Sequence, residues 1–196
     1  PLGAKIKVRE VLERCGGGAA NTSVGLKRLG FNAGICGVIG SDQWGEAIMR
    51  FLKADGVDTS CVTTVEGETT SFSIILSAAD RERVILYTPG TNTHLHDSTF
   101  DKTAAFGCDW IYLNHIAEES SDIENDLLEI LRASPSPGLT WNPGGHHLKR
   151  GIDYPSTATL LKETDLLVLN ADEARLFTGA EDIPQALALL SKAGVR

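Results

Sequence analysis

Short apolar runs alternating with amphipathic stretches limit most strongly how this chain can fold. AGICGVIG (33–40), DWIYLN (109–114), GLTWNP (138–143) and TDLLVLN (164–170) have the length and the β-branched or aromatic content of buried parallel strands. Between them lie helical patterns. SDIENDLLEILRA (121–133) opens with a predicted capping box from Ser121 to Glu124, carries Ile123, Leu127, Ile130 and Leu131 on one stripe, and stops before Pro135. DQWGEAIMRFLKADG (42–56) ends at Gly56, where a glycine can close a helix. Strand, helix, strand, helix in that order predicts a three-layer α/β domain with a mainly parallel sheet and right-handed crossovers. With 196 residues, 42% of them hydrophobic, there is enough apolar mass for a real core.

One region breaks the alternation. From Cys61 to Tyr87, TTSFSIILS and RERVILY flank the turn-like AADRE with no helix between them, which predicts an antiparallel hairpin. KIKVREV (5–11) has the same alternating character, so the two segments are expected to form a small sheet standing off the main one. Charge narrows the partners. Eighteen Lys and Arg against 26 Asp and Glu give a net charge of −8, and the cations are scattered, which disfavours nucleic acid and anionic membranes. No apolar run approaches the roughly 20 residues of a membrane span, and PLGAKIKVRE lacks the apolar stretch of a signal peptide. Cys15, Cys36, Cys61 and Cys108 form no Cys-x-x-Cys pair, so neither a zinc site nor a disulfide framework is signalled, and a reducing cytoplasm is the expected location.

The candidate site begins at GGGAANTSVGLKRLG (16–30), where three glycines run into a helix start. Ala19, Thr22, Leu26 and Leu29 share one predicted stripe, and Asn21 points roughly 120° away from it, free to face a cleft. Glycines let a ligand approach the backbone, and the first helical turn leaves N–H groups unpaired, a combination suited to a polyhydroxylated or anionic small molecule. A tight loop with a surface asparagine remains the alternative. The dinucleotide fingerprint fails, because its third glycine position holds Asn21. Asn114 ends a strand, where α/β proteins bind ligands. Asn170 and Glu173 have the spacing of a capping box, which needs no ligand to explain it. His94, His96 and Asp97, and the pair His146 and His147, read as solvated surface rather than a metal site, and Trp44, Trp110 and Trp141 as packing residues.

Five segments in order resemble the ribokinase-like carbohydrate kinases, the PfkB family: GGGAANTSVGLKRLG, GVIGSDQWGEAIMRFLKADGVDTS (37–60), TPGTN (88–92), TWNPG (140–144) and NADEARLFTG (170–179). That resemblance implies ATP-dependent phosphotransfer to a primary hydroxyl of a sugar or nucleoside, with ATP and Mg²⁺ as cofactors. It makes Gly16, Gly17, Gly18 and Asn21 holders of substrate hydroxyls, and sets Asn170 near the transferring phosphates. Glu173 would act on magnesium through water, which is plausible because Mg²⁺ keeps several of its waters. Ribokinase itself has a lysine where this chain has Gly18, which argues against ribose. The α/β domain would comprise 12–60 and 89–196, and a lid 3–11 and 61–88, covering the sugar and able to pair two subunits into a homodimer. The family's catalytic base is the Asp of a Gly-x-Gly-Asp motif, which these 196 residues do not contain. The base is therefore expected beyond residue 196 and the first strand before residue 1, leaving this chain an inactive, substrate-binding part. Asp97 and Asp172 are substitute candidates for the base, and a non-catalytic binding or assembly protein on the same fold is the alternative function.

Overall fold

Gly17 adopts φ 95°, a backbone conformation that disfavours any residue with a Cβ, and from it the chain enters helix α1 (Gly18–Arg28). The structure, a computed structural model, describes residues 7–8, 10–77, 83–95, 102–114, 116, 121–133 and 135–195. After α1 come strand β1 (Gly34–Gly40), helix α2 (Gln43–Ala54) and strand β2 (Asp58–Val65), with β1 and β2 parallel and Gly40 opposite Val65. Asp42 caps α2 by accepting from the Gly45 N–H at 2.9 Å. Ala20 and Val24 of α1 close on Leu52 of α2 and on Val57, with Ile35, Ile48 and Phe51 around them. The stripe predicted for α1 is corrected by one residue. Ala20, Ser23 and Val24 are buried, whereas Leu26 and Leu29 are exposed, because the helix lies close to its neighbours and only its small residues fit between.

An antiparallel ribbon follows, built from β3 (Phe72–Ser77) and β4 (Arg83–Thr88) with Phe72 opposite Thr88 and Ser77 opposite Arg83. The hairpin predicted from the sequence is present, but its start is corrected: Cys61–Val65 belong to β2 and pair with β1. Their β-branched residues follow α2 directly, which makes them the return strand of a β-α-β unit. The turn residues 78–82 lie outside the described residues. Of the strand expected over 5–11, residues 7, 8, 10 and 11 carry no strand, and 5, 6 and 9 lie outside the described residues.

The remaining elements build the larger body. Strand β5 (Trp110–Leu113), helix α3 (Ser121–Leu131), strand β6 (Gly138–Trp141), helices α4 (Gly145–Arg150) and α5 (Pro155–Glu163), strand β7 (Leu166–Leu167), and helices α6 (Ala171–Thr178) and α7 (Ile183–Ala193) follow in that order. β5, β6 and β7 are parallel neighbours. One face of this sheet packs into a core containing Leu139, Trp141, Leu160, Leu161 and Phe177. Among the described residues no ladder joins β1 to β5, and α1 packs against both. Trp141 is fully buried as a packing residue, but Trp110 is not: it lies over Gly138 on the open face, 55% exposed, and its indole N–H donates to Thr140 Oγ1 at 2.9 Å.

Of the predicted Ser121–Glu124 box, the Ser121 side chain lies outside the described residues. Glu124 is buried, and its Oε1 accepts from His147 Nε2 at 3.0 Å and from Arg150 Nη1 at 3.1 Å, tying α3 to α4. His147, expected on the surface, is 1% exposed, with its ring edge-on to Trp141. Burial pushes the Glu124 carboxyl up, and the hydrogen bond from His147 and the positive charge of Arg150 more than offset it, holding the group below the usual carboxylate range.

Candidate functional site

Three parallel strands that end on asparagine give the molecule its candidate site. Asn114 directly follows β5, Asn142 directly follows β6, and Asn170 closes the extended chain after β7. Backbone hydrogen bonds keep the ends level: the Asn142 N–H donates to the Leu113 carbonyl at 2.9 Å and the Val168 N–H to the Trp141 carbonyl at 2.9 Å. Neighbouring strands are about 4.8 Å apart, so these residues mark out a row along the carboxyl edge, where open α/β sheets form their binding crevice. Asn142 donates from Nδ2 to the Val168 carbonyl at 2.8 Å and braces two strand ends. Asn142 is a site residue with no role in the sequence motifs above. The signal was there in the repeated ending of DWIYLN, GLTWN and DLLVLN.

At one end of the row lies the start of α1. A side chain at Gly18 would run into the Asn114 carboxamide, so glycine is required for α1 to come this close. Two residues singled out separately from the sequence, Gly18 and Asn114, thus lie against each other. Asn21, on the first turn, is exposed. No side chain caps this helix and its first turn carries no acid, so the first N–H groups are open to a ligand.

The other end of the row is built differently. The Glu173 N–H donates to Asn170 Oδ1 at 2.9 Å and the Asn170 N–H donates to Glu173 Oε2 at 2.8 Å, so the capping box read from the sequence is complete. Asp172 and Glu173 put two carboxylates in this first turn, and Asp172 pairs with Arg175. An anion would meet those carboxylates, whereas a hydrated cation would find an acceptor in the remaining Glu173 oxygen. Asp97 lies outside the described residues. Among the described residues no group of three His, Cys, Asp or Glu is arranged to hold a metal directly, and His94 pairs with Glu68 at 2.7 Å. No described helix is long and apolar enough to cross a membrane.

Comparison with known proteins establishes the family and the fold. The family model of the pfkB family carbohydrate kinases matches residues 2–196, and the chain belongs to that family. It is 26% identical over 174 residues to a ribokinase of Haemophilus influenzae, covering 85% of this chain and 52% of that protein. A ribokinase of Arabidopsis thaliana, solved with ribose and ATP, superposes with a TM-score of 0.79 at 22% identity, covering 98% of this chain and 62% of that one. A putative ribokinase II from E. coli, solved with ATP and Mg²⁺, gives 0.76 at 19% identity, covering 97% and 65%. The fold is therefore the ribokinase-like α/β fold. The chain spans about half the length of the curated relatives it matches.

Proposed function

We propose that these residues form the substrate side of an ATP-dependent kinase that phosphorylates a primary hydroxyl of a sugar or nucleoside. The carrying observation is the row of strand-end asparagines running from an uncapped glycine helix start to a capped acidic one. Gly16, Gly17, Gly18, Asn21 and Asn114 bind substrate hydroxyls in this reading, because open N–H groups donate to hydroxyl oxygens and carboxamides both donate to and accept from hydroxyls. Asn170 and Glu173 face the nucleotide. ATP supplies the phosphoryl group when bound. Glu173 meets Mg²⁺ through water, a role that fits a carboxylate with one oxygen already committed to its own cap.

The β3–β4 hairpin is the lid of this reading, starting after β2 because 61–65 pair with β1, and its work is to exclude water from the transfer. Its exposure supports a second use. Ile74, Ile75, Leu76, Val84, Ile85, Leu86 and Tyr87 are all exposed, and an isolated two-stranded ribbon is marginal in water, which favours pairing of two lids in a homodimer. That same surface is what an assembly protein without catalysis would use. Because Gly-x-Gly-Asp is absent from these 196 residues, binding without rapid turnover is expected of them. Thermal-shift and calorimetric titration with ribose, fructose, 2-keto-3-deoxygluconate, adenosine and inosine, each with and without MgATP, tests the proposal. Saturable binding of one of the five is expected, and binding of none would refute it.

A further inference from the structure

Both ends of the β3–β4 hairpin return to one spot on the α/β body, and the hydrogen bonds there are unusually dense. On the leading side, the Thr70 N–H donates to Asp42 Oδ2 at 3.0 Å and the Thr70 hydroxyl donates to Asp42 Oδ1 at 2.6 Å. That hydroxyl also accepts from the Gly40 N–H at 2.9 Å. On the returning side, the Thr91 N–H donates to the Thr69 carbonyl at 3.0 Å, and the Thr91 hydroxyl donates to the Val38 carbonyl at 3.3 Å. Thr70 and Thr91 are 2% and 0% exposed. Backbone closes in tightly around them: a Cβ at Gly40 would strike the Glu68 carbonyl, and one at Gly90, where φ is +47°, the Thr69 carbonyl.

Beyond this root the ribbon changes character. Residues 72–77 and 83–87 are exposed throughout, and the ring contact described from the strands to the body is Phe72 stacked on Trp44, with centroids 6.2 Å apart. Trp44 and Phe72 also wall a cavity of about 220 Å³ that Cys15 and Ser71 help to line.

We propose that Asp42 and Thr70 form a latch that fixes the root of the hairpin and so sets the width of this cavity, which makes both of them positioning residues for the hairpin. One carboxylate caps α2 through Gly45 and grips Thr70 twice, so α2 and the hairpin share a single pivot. The hydrogen bonds and the Phe72–Trp44 stacking hold the ribbon at its root, so its direction follows that of Thr70. Hydrogen bonds to an ionised acceptor are the stronger kind, and here the hydroxyl bridging Gly40 and Asp42 is shielded from water. The consequence for a sugar in the cavity rests on the proposed function; the latch itself does not.

Residue-resolved amide exchange tests it. In the wild-type chain the Thr70 and Thr91 amides should be among the most protected from 68 to 92, slower to exchange than the amides of 72–77. Thr70→Val keeps the side-chain shape and removes the hydroxyl. It should speed exchange at Gly40 and Thr70 by about ten- to a hundredfold, the value of the two hydrogen bonds that the hydroxyl makes, and broaden the resonances of 72–77 and 83–88. Thr70→Ser, which keeps the hydroxyl, should restore the wild-type pattern. Exchange of wild-type Thr70 at the rate of a free loop would overturn the latch, whether or not Thr70→Val folds. So would a folded Thr70→Val with an unchanged root and hairpin. No ligand enters this readout, so failure of every sugar to bind would count against the proposed kinase and leave the latch standing.

Discussion

The two sides of the crevice are built on opposite plans. On one side, β5 to β7 and their helices enclose a large core that includes Trp141 and Phe177, and α6 starts with a complete capping box. On the other, α1 starts on bare glycine, its buried core is Ala20, Val24, Leu52 and Val57, and the hairpin beyond it is open to water. Protein interiors resist deformation in proportion to how completely they are packed. A kinase of this layout would hold its nucleotide against a stiff wall and accommodate its acceptor with a softer one. Satisfied backbone groups accompany the rigid side, and open ones the adaptable side.

The contrast is broken most violently at Glu124. Glu124→Ala leaves the buried His147 and the half-buried Arg150 without their shared carboxylate, and should cost about 3 kcal/mol in chemical denaturation. Because its folded-state titration lies below that of a free glutamate, the Glu124 contribution is complete above the ordinary glutamate range and is lost as pH falls through and below it. The wild type should therefore show an acid limb of stability that Glu124→Ala has lost, and parallel limbs would contradict the assignment. Next in size, Leu52→Ala opens the small core and should cost about 2–3 kcal/mol. Its signature is local: amides of α1, α2, β1 and β2 should exchange faster while those of β6 and α5 hold. Uniform loosening would mean that the two sides are one cooperative unit. Asn114→Ala should weaken sugar binding by about 1–3 kcal/mol in calorimetry, and an unchanged affinity would remove Asn114 from the site. The smallest effect is expected at Asn170, where loss of the cap costs about 1 kcal/mol; Asn170→Ala should lower stability by that amount and leave sugar affinity alone.

Which features could be read from the sequence follows a different division, between local and long-range signals. The strands at 33–40, 109–114 and 138–143, the helix after Asp42 and the Asn170–Glu173 box are written in local signals, apolar runs and caps, and the structure has each of them. The role of Glu124 in tying α3 to α4 was not legible, because its partners there lie 23 and 26 residues away. In α1 the leucines drew the predicted stripe toward Leu26 and Leu29, although close packing selects small residues. The meeting of Gly18 with Asn114 and of Asp42 with Thr70 depends on how distant segments return to one edge, which no local pattern encodes.

Amide chemical-shift mapping with a sugar or nucleoside from the panel, followed by MgATP, reaches the central claim most directly. The account predicts that the acceptor shifts Gly16, Gly17, Gly18, Asn21 and Asn114, and that MgATP then shifts residues around Asn170 and Glu173. Saturable shifts confined to other surfaces, or no shifts with any member of the panel, would contradict it.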